Sequence, residues 1–224
     1  MPRLKIGVLI SGRGSNLQAL IDAAAASDYP AEIALVLSNQ PNAAGLDRAA
    51  TAGIPARAIP HSSREAFAAE ADAALREAGV GLVALAGYMR LLDSGFVAAW
   101  RDRLVNIHPS LLPAFPGLHP QRQALAAGAR FSGCTVHFVR AAVDTGPIIA
   151  QAVVPVLDAD DEDTLADRIL AAEHVIYPLS VRLFAEGRLA INGNRVTIAG
   201  ACAPDGRLFN PRDAAVGPLA SSGG

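Results

Sequence analysis

The first apolar block, Leu4 to Ile10, is continuous and rich in branched side chains, the pattern of a strand buried on both faces. It ends in Ser11-Gly12-Arg13-Gly14-Ser15-Asn16, and a helical spacing of apolar residues takes over from Leu17 to Ala26. The two patterns then alternate. Strands are expected over Ile33 to Ser38, Ala56 to Ile59 and Leu82 to Ala86, separated by helices over Ala44 to Ala52 and Arg64 to Glu77. A further strand opens at Leu104, and Pro109 and Pro113 forbid its continuation as a helix. Next come a helix from His119 to Ala127 with Pro120 in its first turn, a strand from Cys134 to Phe138, and a strand from Ile148 to Val156. Thr164 to Glu186 reads as a long helix, which Pro178 is expected to kink. Leu189 to Ile191 and Arg195 to Ile198 flank Asn192-Gly193, a local hairpin signal.

Strands alternating with helices at this spacing predict an α/β fold, a doubly wound and mostly parallel sheet with a C-terminal β-hairpin. Residues 1–200 read as one domain without internal repeat or linker, and residues 201–224 as a tail whose end, Ala220 to Gly224, is expected to be disordered. The chain has 224 residues, 51% hydrophobic and 18% charged, which fits a folded globular protein. A net charge of −2 offers no broad basic surface for nucleic acid. Cys134 and Cys202 are too few for a disulfide framework or a zinc site. The run from Ile6 to Ile10 is too short for a signal peptide or a membrane span, so a cytoplasmic protein is expected, a monomer or weak dimer.

Candidate chemistry sits in two places. Free N–H groups where Gly14, Ser15 and Asn16 open a helix favour an anion, and Ser15 or Asn16 could cap that helix. A third glycine and an acidic residue after the second strand are missing, Ser38-Asn39 standing there instead, so a single phosphate suits the loop better than a dinucleotide. A branched side chain at Gly14 should then obstruct the ligand. A plain strand-to-helix turn would need the same glycines. The second place is Asn106-Ile107-His108, where Asn106 and His108 share one strand face. An amide can donate to a developing oxyanion and an imidazole can move a proton. Alone, the pair also fits two residues that satisfy loop backbone. Met89, Leu91 and Leu92, beyond a strand end, suit an apolar pocket and a core equally.

Five segments occur together and in order: Ile10-Ser11-Gly12-x-Gly14-Ser15-Asn16-Leu17, Ala86-Gly87-Tyr88-Met89-Arg90, Asn106-Ile107-His108-Pro109-Ser110-Leu111-Leu112-Pro113, Pro116-Gly117-Leu118-His119 and Asp144-x-Gly146-Pro147. In this the chain resembles the phosphoribosylglycinamide formyltransferases, folate-dependent enzymes of purine synthesis. The resemblance implies two small-molecule substrates, glycinamide ribonucleotide and 10-formyltetrahydrofolate, with no metal, nucleic acid or membrane. It implies a nucleotide-binding half near residues 1–100, and a folate-binding and catalytic half near 101–200. Asn106, His108 and Asp144 would be catalytic, with Asp144 favouring the imidazolium form of His108. Gly14, Ser15 and Asn16 would hold the ribonucleotide phosphate, and Glu173 the glycinamide or ribose part. Arg64, Met89, Arg90, Leu91, Leu92 and Val139 would meet the folate. It also implies a cis Leu112-Pro113 bond. His137 and His174 read as structural, and Arg13, Leu170 and Gln121 depart from the family's usual residues. Methionyl-tRNA formyltransferase would need a further basic domain, and formyltetrahydrofolate hydrolase an additional N-terminal one. A non-enzymatic nucleotide-binding module would leave Asn106, His108 and Asp144 without purpose.

Overall fold

A computed structural model describes residues 2–60, 63–202, 208 and 210. The elements are β1 (Leu4–Ile10), α1 (Ser15–Ala24), β2 (Ala31–Ser38), α2 (Ala44–Thr51), β3 (Ala56–Ala58), α3 (Arg64–Glu77), β4 (Leu82–Leu85) and α4 (Ser94–Ala99). They continue with β5 (Leu104–His108), α5 (Pro120–Ala126), β6 (Phe131–Phe138), β7 (Ile148–Pro155), α6 (Glu162–Ala185), β8 (Leu189–Asn192) and β9 (Arg195–Ile198). Seven strands form one sheet in the order β3-β2-β1-β4-β5-β6-β7. The first five run parallel, whereas β6 is antiparallel to both β5 and β7. The chain leaves β1 toward β2 and β3, then returns to β4 on the other side of β1. Such a reversal opens a crevice at the carboxyl ends of the strands, where open α/β sheets take ligands. The β8–β9 hairpin forms a two-stranded sheet of its own and packs Leu189, Ile191 and Val196 against the core.

Alternation along each strand divides the core into two layers. Ile6, Val8 and Ile10 of β1 join Leu17 and Leu20 of α1 and Leu165, Ile169 and Tyr177 of α6. Leu9 faces the other layer, with Phe67 and Leu75 of α3, Phe96 and Trp100. Strand β5 follows the same rule. Val105 and Ile107 enter the α6 layer, which leaves Asn106 and His108 together on the opposite side.

Three local features differ from the sequence pattern or sharpen it. Helix α4 was not expected, being six residues long with Gly95 inside; the Asp93 side chain caps it by accepting the Gly95 and Phe96 N–H groups. Helix α6 continues through Pro178 as one run of 24 residues. The Leu112-Pro113 peptide is cis, as the family resemblance implied. The expected disorder of Ala220 to Gly224 falls outside the described residues. Among the described residues, no helix is long and apolar enough to cross a membrane.

The segment after β5 is pinned by one buried hydroxyl. Thr135 Oγ1 donates to the Ser110 carbonyl at 2.7 Å and accepts the Leu112 N–H at 3.1 Å and the Gln151 amide at 3.0 Å. Thr135→Val keeps the shape but strips partners from buried groups, each worth about 1–3 kcal/mol when left unsatisfied. A loss of roughly 2–3 kcal/mol in chemical denaturation is expected. An unchanged denaturation midpoint would show that the segment holds itself without Thr135.

Candidate active site

Antiparallel pairing of β5 with β6 sets Asn106 opposite His137 and His108 opposite Thr135. Residues directly opposite share a face, so the pairing gathers four polar side chains at one end of the sheet. The loop from Arg140 to Pro147 brings Asp144 to them, in a left-handed conformation with φ 54° that aspartate tolerates. Asp144 Oδ2 lies 3.4 Å from His108 Nδ1 and accepts the Gly117 N–H at 2.9 Å. Its Oδ1 lies 3.6 Å from His137 Nε2.

His108 is 5% exposed and has oxygen acceptors at both ring nitrogens. Its Nε2 donates to the Phe115 carbonyl at 3.1 Å, and its Nδ1 faces the Asp144 carboxylate. Only the doubly protonated ring satisfies both. Burial pushes the Asp144 carboxyl up. The Gly117 N–H at 2.9 Å and the charge on His108 oppose that, and it is held below the usual carboxylate range. The result is an imidazolium beside a firmly ionised carboxylate. With its Nε2–H turned from the Phe115 carbonyl to a reacting carbonyl, such a group donates a charged hydrogen bond to an oxyanion.

A cavity of about 640 Å³ opens beside this cluster at the crevice between β1 and β4. Its walls include Gly14, Ser15 and Asn16 after β1, Pro109 after β5, and Leu170 and Glu173 of α6. Gly14 itself is the N-cap of α1, with φ 71° and no side-chain cap. The expectation that Ser15 or Asn16 caps the helix is therefore corrected. Both lie inside its first turn, where N–H groups lack intrahelical acceptors and suit an anion. The Asn16 amide instead donates to Glu173 Oε2 at 2.7 Å. Burial pushes the Glu173 carboxyl up to about 7, against the lowering effect of that bond.

Glu173 gives a signed pH test. The unfolded chain releases this proton near the ordinary value of 4.5, while the folded protein holds it to about 7. Stability attributable to the group therefore falls as pH rises between those values and is constant above them. Glu173→Gln lacks the ionisation. It should match the wild type near pH 5 and exceed it in thermal stability near pH 8, on the order of the linkage expected for such a shift. An equal offset at both pH values would refute the burial argument.

Gly14 has a reason within the fold as well. A Cβ there would stand 2.7 Å from the Gly45 backbone, so the residue is required by its φ and by the close approach of α2 before any ligand is considered. Gly12 is the cleaner probe, since an added Cβ meets no protein atom within 4 Å and the residue lines the cavity. Gly12→Val is expected to raise the KM for the ligand held there about ten- to a hundredfold, roughly 1.4–2.8 kcal/mol. Its melting temperature should stay near wild type. Unfolding of the variant, or an unchanged KM, would contradict this.

Of the other residues singled out from sequence, Met89 and Arg90 line the cavity. Met89 and Leu91 are 66% and 55% exposed, while Leu92 and Val139 pack against the α3 layer. Arg64 is exposed at the start of α3 and does not line the cavity. His137, read from sequence as structural, lies within reach of Asn106 and Asp144 in the same polar cluster. Its signal was the polar pair Thr135 and His137 alternating with Cys134, Val136 and Phe138 on a strand.

A doubly wound sheet presenting an amide, an imidazole and a carboxylate beside a helix start open to an anion fits a group-transfer enzyme acting on a carbonyl. The chain belongs to the formyl transferase family, whose model matches residues 4–181. It is 46% identical over 200 residues to the phosphoribosylglycinamide formyltransferase of Escherichia coli (strain K12), covering 88% of this chain and 94% of that one. Similarity to the trifunctional purine biosynthetic protein adenosine-3 of Drosophila pseudoobscura pseudoobscura reaches 55% over 193 residues; this spans 84% of the chain but only 14% of that longer protein. The crystal structure of glycinamide ribonucleotide transformylase 1 from Symbiobacterium toebii superposes with a TM-score of 0.85 at 54% identity, covering 88% of this chain and 94% of that one.

Proposed function

We infer that the chain transfers the formyl group of 10-formyltetrahydrofolate to the primary amine of glycinamide ribonucleotide, a step of purine synthesis. The gathering of Asn106, His108 and Asp144 next to Pro109, which lines the cavity of about 640 Å³, carries this reading. The similarity to the phosphoribosylglycinamide formyltransferase of Escherichia coli supports it.

The ribonucleotide would lie in the cavity with its phosphate on the N–H groups of Ser15 and Asn16 beyond Gly14, and its ribose or glycinamide part near Glu173. Its amine would then point past Pro109 toward His108. The folate would lie along Met89, Arg90, Leu91, Leu92 and Val139, with Arg64 as an outlying contact. The amine attacks the formyl carbon, forming a C–N bond and a tetrahedral oxyanion. An Asn106 N–H and the His108 Nε2–H, which leaves the Phe115 carbonyl for it, donate to that oxygen. Collapse breaks the bond to the folate nitrogen, which gains a proton as the former amine loses one. Asp144 keeps His108 charged and oriented throughout.

The test mixes protein, 10-formyltetrahydrofolate and glycinamide ribonucleotide. Deformylated folate should appear only when the ribonucleotide is present, and the ribonucleotide should gain one formyl group by mass. Transfer to charged initiator tRNA, or formate release without an acceptor, would overturn the assignment.

A further inference from the structure

We propose that His137 is a positioning residue that sets which end of the Asn106 amide faces the reacting carbonyl; the proposal rests on the formyl-transfer reading above. His137 stands directly opposite Asn106 in the β5–β6 pairing and is 1% exposed. Its Nδ1 lies 3.0 Å from the Phe138 carbonyl oxygen. A carbonyl only accepts, so Nδ1 carries a proton, and in the neutral ring Nε2 then holds a lone pair.

That lone pair meets the Asn106 amide nitrogen at 3.4 Å. One Asn106 Nδ2–H donates to it. Turning the amide over would set Oδ1 against the same lone pair, acceptor against acceptor, so His137 disfavours that orientation. A primary amide nitrogen has two hydrogens, and the second is left for the oxyanion. Asp144 Oδ1 is also near His137 Nε2, but at 3.6 Å it lies farther off than the Asn106 amide and beyond hydrogen-bond length, and the Gly117 N–H goes to the other oxygen, Oδ2. The consequence is a chain of orientation. The Phe138 carbonyl selects the His137 tautomer, His137 selects the Asn106 amide orientation, and Asn106 presents a donor to the substrate. Without His137 the amide samples both orientations, one of which turns an acceptor toward the developing negative charge.

The experiment uses His137→Phe, His137→Asn and His137→Gln, each alone, and His137→Phe combined with Asn106→Ala. Phe has no acceptor, and Asn reaches only as far as Nδ1. Gln extends an oxygen to the position of Nε2. Phe and Asn variants should lose about ten- to a hundredfold in kcat, the scale of a misplaced catalytic group, with both KM values little changed. Gln should recover most of that loss. In the Asn106→Ala background, His137→Phe should cost nothing further, because the group it positions is gone. The proposal is overturned if His137→Phe and His137→Asn keep wild-type kcat, if Gln is as poor as Phe, or if the losses with Asn106→Ala add. Should Phe fail to fold, the Asn and Gln pair carries the same comparison. A wild-type protein without ribonucleotide-dependent transfer would sink the functional reading itself; active wild type with an indifferent His137 sinks only this inference.

Discussion

Asp144→Asn is expected to lower kcat by about 10²–10⁴-fold, the usual scale for losing acid–base assistance. The substitution keeps the shape of the side chain and retains an oxygen that can accept the Gly117 N–H, so the loop has little reason to move. What disappears is the negative charge 3.4 Å from His108 Nδ1. An imidazolium in a buried site depends on such a partner, since burial alone disfavours the charged ring. The oxyanion then loses its charged donor at the moment it forms. Both KM values should change little, because the lost interaction is made mainly in the transition state. The wild-type carboxyl is held below the ordinary range, so it stays ionised throughout neutral pH. A rival account has Asp144 merely bracing the Arg140–Pro147 loop. Steady-state kinetics separates the two, since bracing predicts a large rise in folate KM with kcat preserved.

The fold was legible because each strand and helix carried its own period. Leu4 to Ile10 reads as a buried strand before anything is known of its neighbours, and Pro109 closes β5 by chemistry alone. That made Asn106 and His108 visible as a pair on one face. His137 was not visible in this way. Its meaning comes from the register that sets it against Asn106, and a register between strands separated by α5 and its loops is not a local property. Thr135 is hidden for the same reason. Glu173 is the intermediate case: a carboxylate on an apolar helix stands out in sequence, but its burial against Asn16 appears only once α6 packs on α1. Gly14 shows the limit from the other side. A glycine there could be read from the turn, yet its reason is the backbone of Gly45, which no spacing near Gly14 reveals.

Gly146→Ala should abolish most activity by a route unlike that of Asp144→Asn. A Cβ on Gly146 would stand 1.5 Å from the Phe138 carbonyl oxygen and 2.7 Å from its carbon. Both are backbone atoms at the end of β6, where Phe138 N–H donates to the Pro147 carbonyl at 2.9 Å. Neither can swing aside as a flexible side chain would. The same carbonyl oxygen accepts the His137 Nδ1 proton, so relief on one side disturbs His137 and relief on the other moves the loop. Loop movement displaces Asp144, two residues away, from His108 and from the Gly117 N–H. A shift of about 1 Å at a catalytic group can cost on the order of 10²-fold in rate. Overpacking of this kind should also cost about 3 kcal/mol or more of stability, the upper end for an insertion that cannot relax. Asp144→Asn, by contrast, adds no atom and should lose less stability than Gly146→Ala, and Gly12→Ala, a substitution of the same chemistry in open space, should leave both stability and kcat near wild type. Denaturation curves and kcat on the three variants decide the matter. If Gly146→Ala is as stable and active as wild type, the close backbone approach that carries Asp144 into the site is not what holds it there.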